Sequence, residues 1–347
     1  MLKNRMISAD LMRIISIFLV VMLHVSGVLW VSLDVTSLDW SLINIYNSLS
    51  RCSVQIFIML SGVFLLSPQK NISDKSIYTK YLPRIIISLI FWSAIYLIST
   101  PFNIESVKYI IVSILKGSTN YHLWFLYMLI GLYVMTPILR IITKNATKKQ
   151  IEYFLAIGII ISIIVPNLSE YSPLSFISTN IDKMYLFMPR SYLIFYLLGF
   201  YFTNFEMNRT TKKIIYCLGV LGALFTIFIT QYLSNRNLAP TDSWQGVFSL
   251  NTLLYSSAVF IFLKNWLDKL KFSSRSLNII SLLSACSFGV FLTHDLFIKY
   301  LIRHNILTTN LINPILTVPL ITLGIFILSN ILSYIIKKIP ILNKYII

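Results

Sequence analysis

Three side chains near the amino terminus, Asp10, Arg13 and His24, have the types and the spacing to do chemistry together. On a helix the eleven positions from Arg13 to His24, at ~100° each, come to three turns and about 20°, so the two side chains point the same way, roughly 16 Å apart along the axis. Asp10 joins the same stripe. An arginine fork grips phosphate or carboxylate, and an imidazole, with an ordinary pKa near ~6.5, takes up or gives back a proton at neutral pH. The commoner roles of these residue types are also open: a basic residue beside a membrane span anchors headgroups, and one histidine on a helix packs against a hydrogen-bond partner.

The segment that carries them is a membrane span. Residues 14 to 33 number twenty and hold no Asp, Glu, Lys or Arg. That is the length an α-helix needs to cross ~30 Å of hydrocarbon. It puts Asp10 and Arg13 at one interface and His24 near the midplane. The whole chain has the same character: 347 residues, 56% hydrophobic and 12% charged, with a mean hydropathy of +0.77. A soluble core of this size cannot hide so much apolar surface. Apolar runs recur at about 7–33, 42–67, 81–99, 121–142, 151–166, 185–204, 214–233, 246–263, 277–301 and 311–336, and all ten are expected to be helices. The fold class is therefore all-α and polytopic, and residues 1–347 form a single transmembrane domain, with turn and cap signals such as Ser67-Pro68, Asn145-Ala146-Thr147 and Asn313-Pro314 between the runs.

The net charge of +17 does not point to nucleic acid, because the 29 Lys and Arg are scattered in small groups between spans. Six fall on one side, Lys108, Lys116, Lys183, Arg236, Lys299 and Arg303; three, Arg13, Arg51 and Arg190, lie within or at the ends of spans; the other twenty fall on the side of the two termini. Both termini are then cytoplasmic. Cys52, Cys217 and Cys286 stand singly in apolar runs and serve as small fillers, not as metal or redox pairs. No phosphate-binding glycine loop and no internal repeat is visible.

Ionisable groups inside hydrocarbon are costly and hence candidates for function. Arg51 falls mid-way along the second run, and it either lines a substrate path or is held by a neighbouring acid or by carbonyl oxygens. His122 and Trp124 open the fourth run at the exterior lip, where an aromatic belt would also explain the tryptophan. Arg190 follows Pro189 near the exterior end of the sixth run. His294 belongs to the outer half of the ninth, with Asp295 pointing ~100° away from it.

Four segments, in order along the chain, resemble the acyltransferase-3 family of membrane-embedded acyltransferases. Three of these are the Arg13…His24 spacing of the first span, Ser53-Val54-Gln55-Ile56-Phe57-Ile58-Met59-Leu60-Ser61-Gly62 of the second, and Ser287-Phe288-Gly289-Val290-Phe291-Leu292-Thr293-His294 of the ninth. Tyr121-His122-Leu123-Trp124-Phe125-Leu126 is similar to the family's His-x-Trp-Phe-Leu signature. The resemblance implies a stand-alone O-acetyltransferase of the bacterial cell envelope, in the plasma (inner) membrane, with no appended hydrolase-like domain. It has acetyl-CoA or another acyl-CoA as donor substrate, no tightly bound cofactor and no metal. The acceptor is a cell-surface or lipid-linked carbohydrate. In that scheme His24 is the general base, with Asp10 and His294 completing the catalytic set; Arg13, Lys80 and Arg84 hold the coenzyme phosphates; and Arg51, His122, Trp124 and Arg190 line the acceptor path. The rival reading is a flippase or exporter of a glycan intermediate, in which the same residues line a route and no bond is made.

The charge bias is directly testable. In intact cells, cysteines introduced at Lys70 and Lys144 should resist a membrane-impermeant thiol reagent and one at Asn235 should react; reaction at position 144 from outside contradicts the orientation.

Overall fold

The structure is a computed structural model that describes residues 6–70, 72–99, 107–169, 175–184, 192–308 and 313–347. It is 82% helical with no strand among the described residues, as expected of a chain whose backbone must satisfy its own hydrogen bonds in hydrocarbon. Each of the ten expected runs contains a helix: α1 (Ile7–Ser32), α2 (Leu38–Leu65), α3 (Asp74–Ser99), α4 (Tyr121–Asn145), α5 (Lys148–Ser169), α6 (Leu193–Asn204), α7 (Arg209–Asn237), α8 (Leu250–Leu267), α9 (Ser274–Arg303) and α10 (Pro314–Lys338). Eight are long and apolar enough to cross a bilayer; α6, with 12 residues, and α8, rich in serine and asparagine, are not. The shortfall of α8 has a physical reason: it packs between α7 and α2, so Asn251, Ser256 and Ser257 are buried against protein, not lipid. Leucines and phenylalanines such as Phe228 and Leu320 instead stay exposed on the outer helices α7 and α10, where lipid is the solvent.

Capping residues start the helices where the sequence places them. Thr147 and Gln150 form a reciprocal capping box on α5, and Asn313 caps α10 with Pro314 in its first turn. Ser37, Asn208 and Ser273 do the same for α2, α7 and α9. Two π-helical turns, Ile77–Tyr81 in α3 and Ile160–Ile164 in α5, each stop two residues before a proline, Pro83 and Pro166. Proline has no N–H and its ring crowds the carbonyl four residues back, so the helix widens there. The turn in α3 delivers Tyr81 and Arg84 to an internal cavity.

α1 is the central helix, in contact with α2, α8, α9 and α10. α2 is broken at Arg51 into Leu38–Ser50 and Cys52–Leu65, and its second half lies against α6 at a distance only glycines permit. A Cβ on Gly62 would overlap the Tyr196 carbonyl and one on Gly199 the Met59 carbonyl, so the two glycines let the backbones touch. The basic loops gather at one end of the bundle. There Arg140 donates to the carbonyls of Leu65 (2.6 Å) and Lys70 (3.0 Å), Lys148 to that of Glu206 (3.1 Å), and Lys337 to that of Ala285 (3.0 Å). Arg84 donates to the Ile347 carbonyl at the same end, close to where α1 begins.

Candidate functional site

Two internal cavities lie one above the other along α1. The first, about 250 Å³, is lined by His24, Arg51, His122, Trp124 and Gln245 among apolar side chains; we call it the histidine chamber. The second, about 410 Å³, is lined by Arg13, Tyr81, Arg84, Tyr133, Ser284 and Lys337. It merges with a mouth of about 640 Å³ that adds Phe64 and Lys70, and together they form a cationic vestibule at the end of the bundle where the basic loops gather.

At the chamber, three histidines from three helices meet: His24 and His122 line it, and His294 is buried against them. The His294 ring stacks on His24, with centroids 5.2 Å apart and planes at 24°, and meets His122 edge-on at 5.0 Å. Tyr121 closes on the other face of the group, 5.0 Å from His24. The sequence puts these histidines at different depths, and the 3₁₀ turn Tyr121–Leu123 at the start of α4 brings His122 inward to join the others. His294 Nδ1 lies 2.8 Å from the Phe291 carbonyl oxygen and 3.2 Å from that of Val290. A carbonyl only accepts, so Nδ1 carries the proton and Nε2 presents its lone pair; Nε2 has no hydrogen-bond partner among the described residues. Neither ring nitrogen of His122 has one either.

Asp295, buried at the edge of this group, accepts from Asn120 Nδ2 and Tyr121 Oη at 2.7 Å each, with Lys299 Nζ at 3.4 Å and His122 Nδ1 at 4.0 Å. It therefore fixes the turn that carries His122. On the helix Asp295 points ~100° away from its neighbour His294, so local spacing gives it no partner. The available signal was a carboxylate deep in an apolar run, which has to find a partner on another helix.

Arg51 sits at the break in α2. Its Nε and Nη2 donate to Asn47 Oδ1 at 3.0 and 2.7 Å, and Nη2 donates to Gln245 Oε1 at 2.5 Å. It both borders the chamber and is held, and its hydrogen-bond partners are side-chain amides where the second of the two sequence alternatives named an acid or carbonyl oxygens. Gln245, in the segment before α8, reaches into the bundle and also donates to Ser48 and Asn44, at 3.1 and 3.4 Å. No sequence signal marked it.

At the vestibule, Arg13 Nη1 donates to Ser284 Oγ at 3.1 Å and lies 3.5 Å from Asp10 Oδ1, which accepts from the same serine at 2.6 Å. Asp10 accordingly ties Arg13 to α9 and stands about 21 Å below His24, fourteen residues along the same helix. It is not part of the histidine group. Arg84 lines the vestibule; Lys80 does not, being exposed with its ammonium 5.8 Å from the centroid of the Tyr81 ring. Two cations that sequence left unassigned take that place. Lys337 lines the upper part, and Lys70 lies over the Phe64 ring at 3.7 Å. Burial, and then the nearby Arg13 guanidinium, lower the Lys70 pKa from its usual value. Arg190 lies outside the described residues.

Sequence comparison gives the arrangement a family. The family described as an acyltransferase domain, acyltransferase-3, matches residues 6–336. The chain belongs to the acyltransferase-3 family. No curated protein and no solved structure matches it. The family match reaches into all ten helices, and the segments that resemble the family's motifs come together in space: His24 and His122 line one chamber, His294 packs against both of them, and the second span contributes Arg51 and Phe57 to the chamber wall. The protein is a multi-pass membrane acyltransferase.

The Asp295 contacts generate a prediction independent of activity. Asp295→Ala leaves the buried Asn120 amide without its acceptor, and takes away that of the more exposed Tyr121 hydroxyl, and should lower stability by about 1–3 kcal/mol, read as a fall in the thermal unfolding midpoint in detergent. Asp295→Asn, which keeps an acceptor, should recover part of it. An unchanged midpoint for Asp295→Ala contradicts the anchoring role.

Proposed function

We propose that the chain moves an acetyl, or another short acyl, group from cytoplasmic acyl-CoA to a hydroxyl of a cell-surface or lipid-linked carbohydrate, working in the plasma membrane. The observation that carries this reading is the stacking of a cationic vestibule under a histidine chamber along one helix. A coenzyme bearing several phosphate charges cannot enter hydrocarbon, so its head remains at the vestibule, where Arg13, Arg84, Lys337 and Lys70 offer charge-assisted contacts. The slender, uncharged pantetheine arm is the part able to climb the roughly 16 Å from Arg13 to His24.

At the top of that path the thioester carbon meets the acceptor hydroxyl. His24 takes the hydroxyl proton as its oxygen attacks the carbonyl carbon; the C–S bond then breaks, and the proton passes to the departing thiolate. Each turnover thus leaves an ester and free coenzyme A, with the imidazole restored. The unpartnered Nε2 of His294, stacked against His24, is a second acceptor for that proton. Arg51 and Trp124, on the chamber wall, and His122 are available to orient a sugar hydroxyl, and the Arg51 cation to meet a lipid diphosphate.

Acetyl-CoA turnover by the purified protein, followed as thiol release, tests the scheme together with mass spectrometry of surface glycans from cells with and without the gene. His24→Ala should lower turnover by about two to four orders of magnitude at normal protein level, while Arg13→Ala should raise the donor KM and leave kcat closer to normal. Arg13→Lys should rescue only in part, lacking the planar fork. Near-normal turnover by a well-folded His24→Ala protein contradicts the assignment.

A further inference from the structure

The vestibule and the histidine chamber share three lining residues, Phe57, Phe125 and Phe291, and no others. They come from α2, α4 and α9. The Phe57 and Phe125 ring centroids are 6.3 Å apart and those of Phe125 and Phe291 5.1 Å, which is the spacing of aromatic rings in contact. Phe125 and Phe291 are buried. The Phe291 ring is also held edge-on by His122 at 5.4 Å, so the partition is tied to the histidine group itself. Below the rings the lining turns polar and cationic; above them it carries the histidines and Arg51.

We propose that Phe57, Phe125 and Phe291 form an aromatic septum that separates the two compartments and sets how wide an acyl group can pass from one to the other. This rests on the acyl-transfer reading for its substrate, but the barrier itself does not. Phenyl rings turn about two torsions without breaking a hydrogen bond, so the septum parts for a narrow, uncharged arm and closes around it. Closed around the arm, it keeps bulk water from following the thioester to His24, where water would compete with the acceptor hydroxyl. The rings touch neither the coenzyme phosphates nor the transferred proton; they are specificity-determining residues, and their removal should alter passage without weakening attachment of the coenzyme head.

The barrier can be read without any turnover. In a full-length protein with Cys52, Cys217 and Cys286 replaced by alanine, Leu23→Cys places one thiol on the chamber wall. In sealed proteoliposomes, a charged, impermeant methanethiosulfonate supplied only on the face carrying the Lys70 loop should label that thiol at least tenfold faster when Phe125→Ala or Phe291→Ala is added. Phe125→Leu, a milder change that preserves packing, should fall between. Equal labelling rates with and without the rings overturn the septum. A second measurement reads selectivity: hexanoyl-CoA turnover relative to acetyl-CoA should rise at least tenfold in Phe125→Ala. If the septum-intact protein turns over no thioester, the acyl-transfer reading fails while labelling still decides the barrier. If thioesters are turned over and their ranking is the same in Phe125→Ala, the selectivity role is wrong.

Discussion

The structure depends on the high free energy of an unpartnered polar group in hydrocarbon. Among the described residues, each ionisable side chain named deep in this bundle, except His294, which bonds to carbonyls of its own helix, meets that constraint in one of two ways. Either it is tied to another helix, as Asp295 is to Asn120 and Tyr121 and Arg51 is to Asn47 and Gln245, or it borders an internal cavity, as His24 and His122 do. The ties are also what hold the bundle's register. Asp10, Arg13 and Ser284 pin the start of α1 to α9, and Gln245 pins the segment before α8 to the break in α2. Asp295 and Arg51, next to the histidines, are thus also the side chains that fix which helices are neighbours.

From this follows the central position of α1. A helix that carries Arg13 at one end and His24 near its middle cannot face lipid along that stripe, so other helices have to surround it, and α2, α8, α9 and α10 do. Helices with no such burden, α7 and α10 on their outer faces, keep exposed leucines and phenylalanines. The close approach of α2 and α6 through Gly62 and Gly199 uses the remaining freedom: where no polar tie is needed, small residues let backbones pack directly.

Much of this is legible in the sequence. Twenty uncharged residues after Arg13 are enough to define a span, and the spacing of Arg13 and His24 is enough to place both on one face. Helix starts at Thr147 and Asn313 follow from local hydrogen bonding that the sequence displays. What escaped was contact between distant segments. Gln245 carries no charge and lies in a loop, so nothing local marks it as the partner of Arg51. Lys80 and Lys70 look equivalent as basic residues near span ends, yet Lys70 borders the cavity and Lys80, on the π-helical turn of α3, is exposed. Asp10 reads as one more member of a reactive stripe, yet its distance along the helix from His24 and its bond to Ser284 give it a supporting position at the vestibule. The three phenylalanines are the clearest case: each is an ordinary apolar residue in an apolar helix, and only their meeting gives them a place between two compartments.

The central claim is that donor and acceptor approach the histidine group from opposite ends of one helix. It is tested most directly by one-sided turnover in sealed proteoliposomes whose protein orientation has been fixed by labelling the Lys70 loop. Radiolabelled acetyl-CoA should be consumed only when supplied on the face that carries that loop, and the acetyl group should emerge as ester on acceptor at the opposite face. Consumption of acetyl-CoA supplied solely on the face nearer Asp295 and Trp124, at a comparable rate, would contradict the account.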